Sequence, residues 1–340
     1  MGKEAPRKKE PFLRFVSGNN LLKNPTYVKP GFQEPASTFA PFSQSLAERG
    51  HNVYTLEEPP RLSTHERARE MERAVAFARK WYAKHHPNLD PERLEQMFLS
   101  IPPTLFEGAL QLIQLIEVTT NKNNPVQVFG HSRGGFETVL AAFLRPDLFP
   151  SKNGESSLVT LLNPAGITGK EGVHESLAVA ASRKVRDGRV EKARRTFGEW
   201  VGDGRRIVSI MYECLVSTVM SYVKTPPDSP AKQPMHKALV SALGMLFTDP
   251  IRATQEAHDM ANTDLLMFTE FVHRVNGVRI GLIIDEDDTL FKTKIVKKRI
   301  QGHEYLEVHE TSGGTHFAPI TKAEEVADLA DRLAHPPPTP

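Results

Sequence analysis

The chain contains a single cysteine, Cys214, among its 340 residues. One cysteine excludes an internal disulfide framework and is typical of proteins from a reducing compartment. The sequence also lacks an excess of charge of either sign, because 43 basic and 41 acidic residues leave a formal net charge of +2 at pH 7. Such a balance gives no indication of nucleic-acid binding, and we expect none.

Long apolar runs are missing as well. The longest apolar stretch, residues 207–223, contains Glu213 and is shorter than a membrane-spanning helix requires. Residues 1–20 begin with a charged segment that lacks the apolar centre of a signal peptide, and we expect them to be flexible. We therefore expect a cytoplasmic protein without a stable membrane anchor. The proline-rich residues 335–340 predict a disordered tail.

The most informative pattern lies at residues 126–134, where an apolar run ends in Gly130-His131-Ser132-Arg133-Gly134. A strand that leads through G-x-S-x-G into a helix is typical of a nucleophile elbow. We expect Ser132 to have a strained backbone conformation, and the neighbouring glycines to avoid collisions that a Cβ atom would cause. Free N–H groups at the helix N-terminus would then stabilise an oxyanion. The alternative is an ordinary glycine-rich turn with an idle serine.

Strand and helix patterns alternate along most of the chain. This alternation predicts the α/β class, with a mostly parallel sheet and helices on both faces. Residues 168–262 show helical patterns only, and they predict an inserted helical cap between core segments 1–167 and 263–334. Within the first core segment, Thr104 and Glu107 match a capping box and predict a helix start.

Two later strands are each followed by a loop with groups that serine catalysis requires. Residues 279–284 lead into a loop with three aspartates, which are Asp285, Asp287 and Asp288. Residues 304–308 lead into a loop that contains His316. A serine hydroxyl needs a base to accept its proton, and the base needs an acid to orient it. Since parallel strands end at one sheet edge, we expect these loops to lie near Ser132.

The order of serine, acid and histidine resembles that of α/β-hydrolases with a cap domain. The resemblance is carried by Gly-His-Ser-Arg-Gly-Gly at residues 130–135 and by Arg-Gly-His-Asn-Val-Tyr at residues 49–54. It implies that Ser132 is the nucleophile, that His316 is the general base, and that Asp288 is the acid. The family usually places this acid three residues beyond the strand end, although Asp285 and Asp287 remain possible substitutes.

The resemblance also implies an oxyanion hole formed by the backbone N–H groups of Phe32 and Arg133. The chain departs from the family here, because Pro30-Gly31 stands where His-Gly is common. The backbone donor survives this change, but the hydrogen bond that the histidine normally makes would be lost. No metal ion and no cofactor is implied.

The implied activity is hydrolysis of a carboxylic ester, or a related acyl bond, through an acyl-enzyme on Ser132. Apolar side chains of the predicted cap indicate a small to medium hydrophobic acyl or aryl substrate. The same triad serves acyltransferases, thioesterases, carbon–carbon hydrolases and cofactor-free haloperoxidases, so the fold does not determine the reaction. A receptor or scaffold on this fold is the non-catalytic alternative. The oligomeric state stays open.

The acidic loop has a second interpretation. Asp285-x-Asp287-x-Thr289-Leu290 matches the signature of haloacid-dehalogenase-type phosphatases. In that family Asp285 would attack phosphorus, Asp287 would act as an acid, and magnesium would lie between them. The signature normally stands near the start of its domain, whereas only about fifty residues follow it here. This position disfavours the phosphatase hypothesis.

Overall fold

The computed structural model describes residues 13–16, 25–31, 34–57, 62–120, 124–152, 155–167, 215–248, 255–256, 259, 264–288 and 290–335. Phe32, Cys214, residues 168–214 of the predicted cap and residues 336–340 of the predicted tail lie outside the described residues.

A seven-stranded sheet forms the centre of the described structure. Its strands are β1 (Leu13–Val16), β2 (Pro25–Lys29), β3 (Asn52–Leu56), β4 (Gln127–His131), β7 (Leu158–Leu162), β8 (Arg279–Asp285) and β9 (Leu306–Thr311). Strands β5 (Ser151–Lys152) and β6 (Glu155–Ser156) form a separate small hairpin. The strand order in the sheet is β1-β3-β2-β4-β7-β8-β9. All neighbours are parallel except β1, which pairs antiparallel with β3 at one edge.

Helices cover both faces of this sheet. They are α1 (Ala40–Glu48), α2 (Thr64–His85), α3 (Pro91–Leu99), α4 (Pro103–Thr119), α5 (Arg133–Leu144), α6 (Lys232–Thr248), α7 (Leu265–Asn276), α8 (Thr293–Arg299), α9 (Ala318–Thr321) and α10 (Ala323–Ala334). Consecutive strand residues point to opposite faces. Val128 of β4 packs into the cluster with α4, α5 and α7, whereas Phe129 packs into the cluster with α1 and α10. The predicted α/β sheet with helices on both faces is confirmed.

The start of α4 differs from the prediction. Thr104 does not cap the helix, because its backbone N–H and its hydroxyl both donate to Asp259, at 3.2 and 2.5 Å. Glu107 instead accepts a hydrogen bond from Arg67 at 2.6 Å. The helix begins at Pro103, and proline suits a first helical position because no N–H is needed there. The predicted capping box is therefore wrong.

The described part of the predicted cap is helical. Residues 215–224 form one helix, and α6 follows it. Met235 of α6 is fully buried in the cluster that includes side chains of α1 and α9, and Ser221 Oγ lies 2.7 Å from Thr315 Oγ1. These two helices thus contact the loop that contains His316. Among the described helices, none combines the length and the apolar content needed to cross a membrane.

Candidate active site

Ser132 forms the turn between β4 and α5 in a backbone conformation that is uncommon for a residue with a side chain. Its φ is +50° and its ψ is −121°. The turn is held by three backbone hydrogen bonds: the Ser132 N–H donates to Leu162 O at 3.0 Å, and its C=O accepts from Gly135 at 3.0 Å and Ala165 at 3.1 Å. Such a conformation costs about 1–3 kcal/mol, which the surrounding structure offsets.

Two glycines make this turn possible. A Cβ atom on Gly130 would lie 2.5 Å from the carbonyl oxygen of Gly134. A Cβ atom on Gly134 would lie 2.4 Å from the carbonyl oxygens of both Lys29 and Pro30. Real Cβ atoms do not approach backbone oxygens this closely, so only glycine fits at either position. The steric reason for the flanking glycines agrees with the sequence prediction.

Asp288 and His316 form a buried pair at the same edge of the sheet. His316 Nδ1 lies 2.9 Å from Asp288 Oδ2. The other carboxylate oxygen, Asp288 Oδ1, accepts hydrogen bonds from the N–H groups of Leu290 at 2.8 Å and Phe291 at 3.0 Å. Burial alone would raise the pKa of Asp288, but the charge and hydrogen bond of His316 and the two backbone donors outweigh it and lower the pKa. The aspartate is therefore kept ionised, which suits the orientation of an imidazole.

The other two aspartates of this loop do not contact the His316 ring. Four groups donate to the Asp285 carboxylate at 2.9–3.0 Å: the N–H groups of Asp287, Gly314 and Thr315, and the hydroxyl of Thr311. Asp287 accepts the N–H of Gly313 at 2.6 Å. Both carboxylates thus shape the backbone before His316. Asp285 is also fully buried, so it is not available to attack a phosphate, as the phosphatase hypothesis requires.

The His316 loop is tied to the serine turn through its backbone. The His316 carbonyl oxygen lies 2.8 Å from His131 Nε2 and 3.1 Å from Asn163 Nδ2. The rings of His131 and His316 are 4.8 Å apart between centroids. Within the described residues, no hydrogen bond joins the Ser132 hydroxyl to the His316 imidazole. Such contacts are often long in unliganded sites and shorten when substrate binds.

Glu34 also belongs to this site, although no pattern in the sequence predicts it. Glu34 Oε2 accepts the Gly31 N–H at 2.7 Å and lies 2.8 Å from His131 Nδ1. The sequence carries no signal for this contact, because it depends on the path of the loop after β2. That loop runs directly beside the serine, since a Cβ atom on Gly31 would lie 2.9 Å from Ser132 Cβ. Phe32, the predicted second oxyanion donor, is outside the described residues.

The side chain of Arg133 lies in a buried group of charges behind the turn. It donates to Glu137 at 2.6 Å and to Glu256 at 2.5 Å. Lys29 also pairs with Glu137, at 3.0 Å. The backbone N–H of Arg133 is the first of α5 and directly follows Ser132. Because a helix N-terminus favours negative charge, this N–H group suits an oxyanion beside Ser132.

One group of side chains in the described structure has spacing suited to a metal ion. It consists of His51, Asp331 and His335, whose donor atoms lie within 4.8 Å of one another. The group lies at the N-terminal end of β3, at the sheet edge opposite to Ser132. It is not part of the candidate active site.

No known protein-family model matches the sequence, and no curated protein matches it. Solved structures do match. A hydrolase from Oleispira antarctica is 11% identical with a TM-score of 0.54, and the match covers 96% of this chain and 94% of that chain. A bromoperoxidase from Bacillus anthracis is 13% identical with a TM-score of 0.53, over 92% of both chains. MenH from S. aureus is 12% identical with a TM-score of 0.50, over 94% of this chain and 97% of that chain.

These identities are too low to transfer a reaction, but a match over almost the whole length of each chain identifies the architecture. The parallel sheet, the strained serine turn after its central strand, and the later aspartate and histidine loops agree with that architecture. This protein has the α/β-hydrolase fold.

Proposed function

We propose that the protein is a serine hydrolase that cleaves a carboxylic ester, or a related acyl bond, through an acyl-enzyme on Ser132. The observation that carries this proposal is the buried Asp288–His316 pair at the sheet edge where Ser132 forms its strained turn. A binding protein would need none of these groups in this arrangement. The hydrolase and bromoperoxidase among the structural neighbours support a small-molecule substrate.

The proposed reaction follows from the orientation of His316. Since Nδ1 faces Asp288, Nε2 is the nitrogen that accepts the Ser132 proton as Oγ attacks the carbonyl carbon. The resulting oxyanion accepts hydrogen bonds from the backbone N–H groups of Arg133 and Phe32. The C–O bond to the leaving alcohol then breaks, and the alcohol takes the proton from Nε2. Water, deprotonated by His316, cleaves the acyl-enzyme and releases the acid and free Ser132.

A small to medium hydrophobic substrate fits the described helices of the insert. Residues 215–224 contact the His316 loop through Ser221 and Thr315, and α6 packs beside that loop. Half-buried Leu239 and Leu243 of α6 give this helix apolar side chains. A series of p-nitrophenyl esters tests the preference, because kcat/KM should increase from acetate to butyrate or hexanoate. Indifference to acyl length would contradict a hydrophobic acyl site.

An active-site-directed fluorophosphonate tests the nucleophile. The folded wild-type protein should become covalently labelled on Ser132, identified by peptide mass spectrometry. The Ser132→Ala variant should lose the label, whereas Ser100→Ala, which changes an exposed serine, should keep it. A folded wild-type protein that resists labelling and hydrolyses no p-nitrophenyl ester would contradict the hydrolase proposal and favour the receptor alternative.

A further inference from the structure

Glu34 and His131 connect the two loops that flank Ser132. Glu34 Oε2 accepts the Gly31 N–H at 2.7 Å and contacts His131 Nδ1 at 2.8 Å. On the other side of the ring, His131 Nε2 donates to the His316 carbonyl oxygen at 2.8 Å. His131 is 0% exposed and Glu34 is 7% exposed, so water competes little for these bonds. One continuous set of bonds thus joins the loop after β2 to the His316 loop.

This arrangement favours the positively charged form of His131. Both ring nitrogens face acceptors, and only an imidazolium donates from both. Burial alone would lower the pKa of His131, but the charge and hydrogen bond of Glu34, the His316 carbonyl and the charge of Asp288 outweigh it and raise the pKa. The remaining neighbours of the ring are the His316 ring and two phenylalanines, Phe39 and Phe317.

We propose that Glu34 and His131 are positioning residues. They hold the loop after β2 and the His316 loop in place relative to Ser132. This proposal rests on the hydrolase function proposed above. The family commonly has a histidine at the position of Pro30, and this chain lacks the hydrogen bond which that histidine makes. Here the Glu34 carboxylate, which belongs to the same loop, holds the loop in place through the Gly31 N–H. His131, the residue before the nucleophile, connects Glu34 to the backbone of the base, His316.

The Glu34→Gln variant tests this role because it removes the charge and keeps the shape of the side chain. For p-nitrophenyl butyrate we expect kcat to fall about 10–100-fold, as for other residues that orient catalytic groups, with little change in KM. The alkaline limit of activity should move to lower pH, because His131 loses its second proton more easily without Glu34. A purely structural role would not move that limit. Glu48→Gln, on the exposed side of α1, should behave as the wild type.

Nitrogen NMR separates this proposal from the hydrolase function. In Ser132→Ala protein, both His131 ring nitrogens should stay protonated to higher pH than those of an unperturbed histidine, whose pKa is about 6.5. In the Glu34→Gln, Ser132→Ala double variant this difference should shrink. A neutral His131 at pH 6, or an unchanged kcat and pH profile in Glu34→Gln, would overturn the positioning role even if Ser132 is labelled. Absence of labelling with a charged His131 would overturn the hydrolase function instead.

A second inference concerns His51, Asp331 and His335 at the opposite edge of the sheet. His51 precedes β3, while Asp331 and His335 lie one turn apart at the end of α10. Asp331 Oδ1 is 2.8 Å from His51 Nε2 and 3.8 Å from His335 Nε2. The two imidazole rings are 5.6 Å apart between centroids, a separation that two ligands of one ion can have.

The second nitrogen of His51 has the partners expected of a metal ligand. Its Nδ1 lies 3.1 Å from Gln127 Oε1, and the Thr26 hydroxyl donates to the same oxygen. The Thr26 hydroxyl oxygen also lies 3.2 Å from Nδ1, so both neighbours of Nδ1 offer an oxygen that accepts its proton, and this tautomer leaves Nε2 as the nitrogen that can bind a cation. In this tautomer Nε2 presents its lone pair to Asp331 Oδ1, and a cation bound by both atoms would stabilise the contact. Ligand histidines commonly donate their other N–H to an oxygen in this way.

We propose that His51, Asp331 and His335 bind a divalent transition-metal ion, best matched by Zn²⁺, with water as a fourth ligand. A proton joins two atoms, whereas here a third possible ligand atom, on His335, lies within 4.8 Å of the other two. Two imidazoles and one carboxylate are ligands that Zn²⁺ prefers. Its place opposite Ser132 makes this a structural site, which ties α10 to β3.

Calorimetric titration with ZnCl₂ and thermal unfolding test the metal site. We expect one equivalent of Zn²⁺ to bind and to raise Tm, and Mg²⁺ to do neither, because it prefers oxygen ligands. His335→Ala and Asp331→Asn should weaken Zn²⁺ binding at least tenfold, whereas His65→Ala should leave it unchanged. A Zn²⁺ response that is equal in wild type and His335→Ala, or no response in either, would overturn the site. His51 and Asp331 would then be joined by a proton.

Discussion

At the scale of single residues, Ser132 and His316 contribute separate groups to one proposed reaction. Ser132→Ala removes the nucleophile and His316→Ala removes the base, so each should lower kcat by about three decades or more. Initial rates with p-nitrophenyl butyrate measure this loss. Thermal unfolding is the control, because Ser132→Ala removes a hydroxyl without a hydrogen bond among the described residues and should change Tm little. A loss below tenfold in Ser132→Ala would contradict its role as nucleophile.

Asp288 gives a prediction about stability and pH. The fold lowers its pKa, so its ionised form is stabilised in the native state. This contribution is fully present above the unfolded-state pKa of about 4 and is lost as pH falls through the lower folded-state value. The free energy of unfolding of the wild type should therefore exceed that of Asp288→Asn at pH 7, and the difference should shrink below about pH 4. Urea unfolding at both pH values measures it; a difference independent of pH would contradict the prediction.

Some residues of the candidate site could be predicted from the sequence, and others could not. Ser132, Asp288 and His316 each follow a strand of a parallel sheet, so chain order alone brings their loops to one edge. Glu34 belongs to the same site, yet its contact with His131 depends on how the loop after β2 turns. Periodicity and spacing carry no information about that turn. The residues that position the site are therefore harder to predict than those that would react.

At the scale of elements, the contact between the serine turn and β2 depends on Gly134. In Gly134→Ala the new Cβ would lie 2.4 Å from the carbonyl oxygens of Lys29 and Pro30, so β2 or α5 must move. We expect the free energy of unfolding to fall by about 1–3 kcal/mol, the usual cost of overpacking. Gly244→Ala in α6 is the matched control, because nothing lies within 4 Å of its Cβ. That variant should gain about 0.5–1 kcal/mol from helix propensity; equal effects in both variants would contradict the steric argument.

Helix starts illustrate the limit of local patterns. Ser63 and Glu66 form a capping box at the start of α2, where both residues are exposed and bond each other. Thr104 and Glu107 have the same spacing at the start of α4, but they bond Asp259 and Arg67. The pattern is identical in the two places. Tertiary partners, which the sequence does not reveal, decide whether a capping box forms.

At the scale of the whole molecule, alternating strand and helix patterns predicted the sheet and its two covered faces. That prediction held because a parallel sheet needs a crossover between strands, and a helix is the usual crossover. The antiparallel edge strand β1 was not predicted. It lies in the segment expected to be flexible, where strand residues are few and pairing with β3 supplies the order.

The buried charges behind Ser132 join parts of the chain that are distant in sequence. Glu137 of α5 pairs with Lys29 at the end of β2 and with Arg133, which also pairs with Glu256 of the insert. Glu137→Gln would remove the carboxylate that pairs with buried Lys29. It would also remove one of the two carboxylates that pair with Arg133. Because a broken buried pair leaves an uncompensated charge, we expect unfolding in urea to show a loss of about 3–5 kcal/mol.

The exposed pair of Lys297 and Glu310 provides the control for this prediction. Glu310→Gln removes the same charge at the surface, where water solvates the remaining lysine, so its cost should stay within about 1 kcal/mol. If both variants lose the same free energy, then the buried carboxylate contributes no more than a surface one. A large loss in Glu137→Gln alone would mean that one carboxylate stabilises the serine turn, β2 and the part of the insert around Glu256 together.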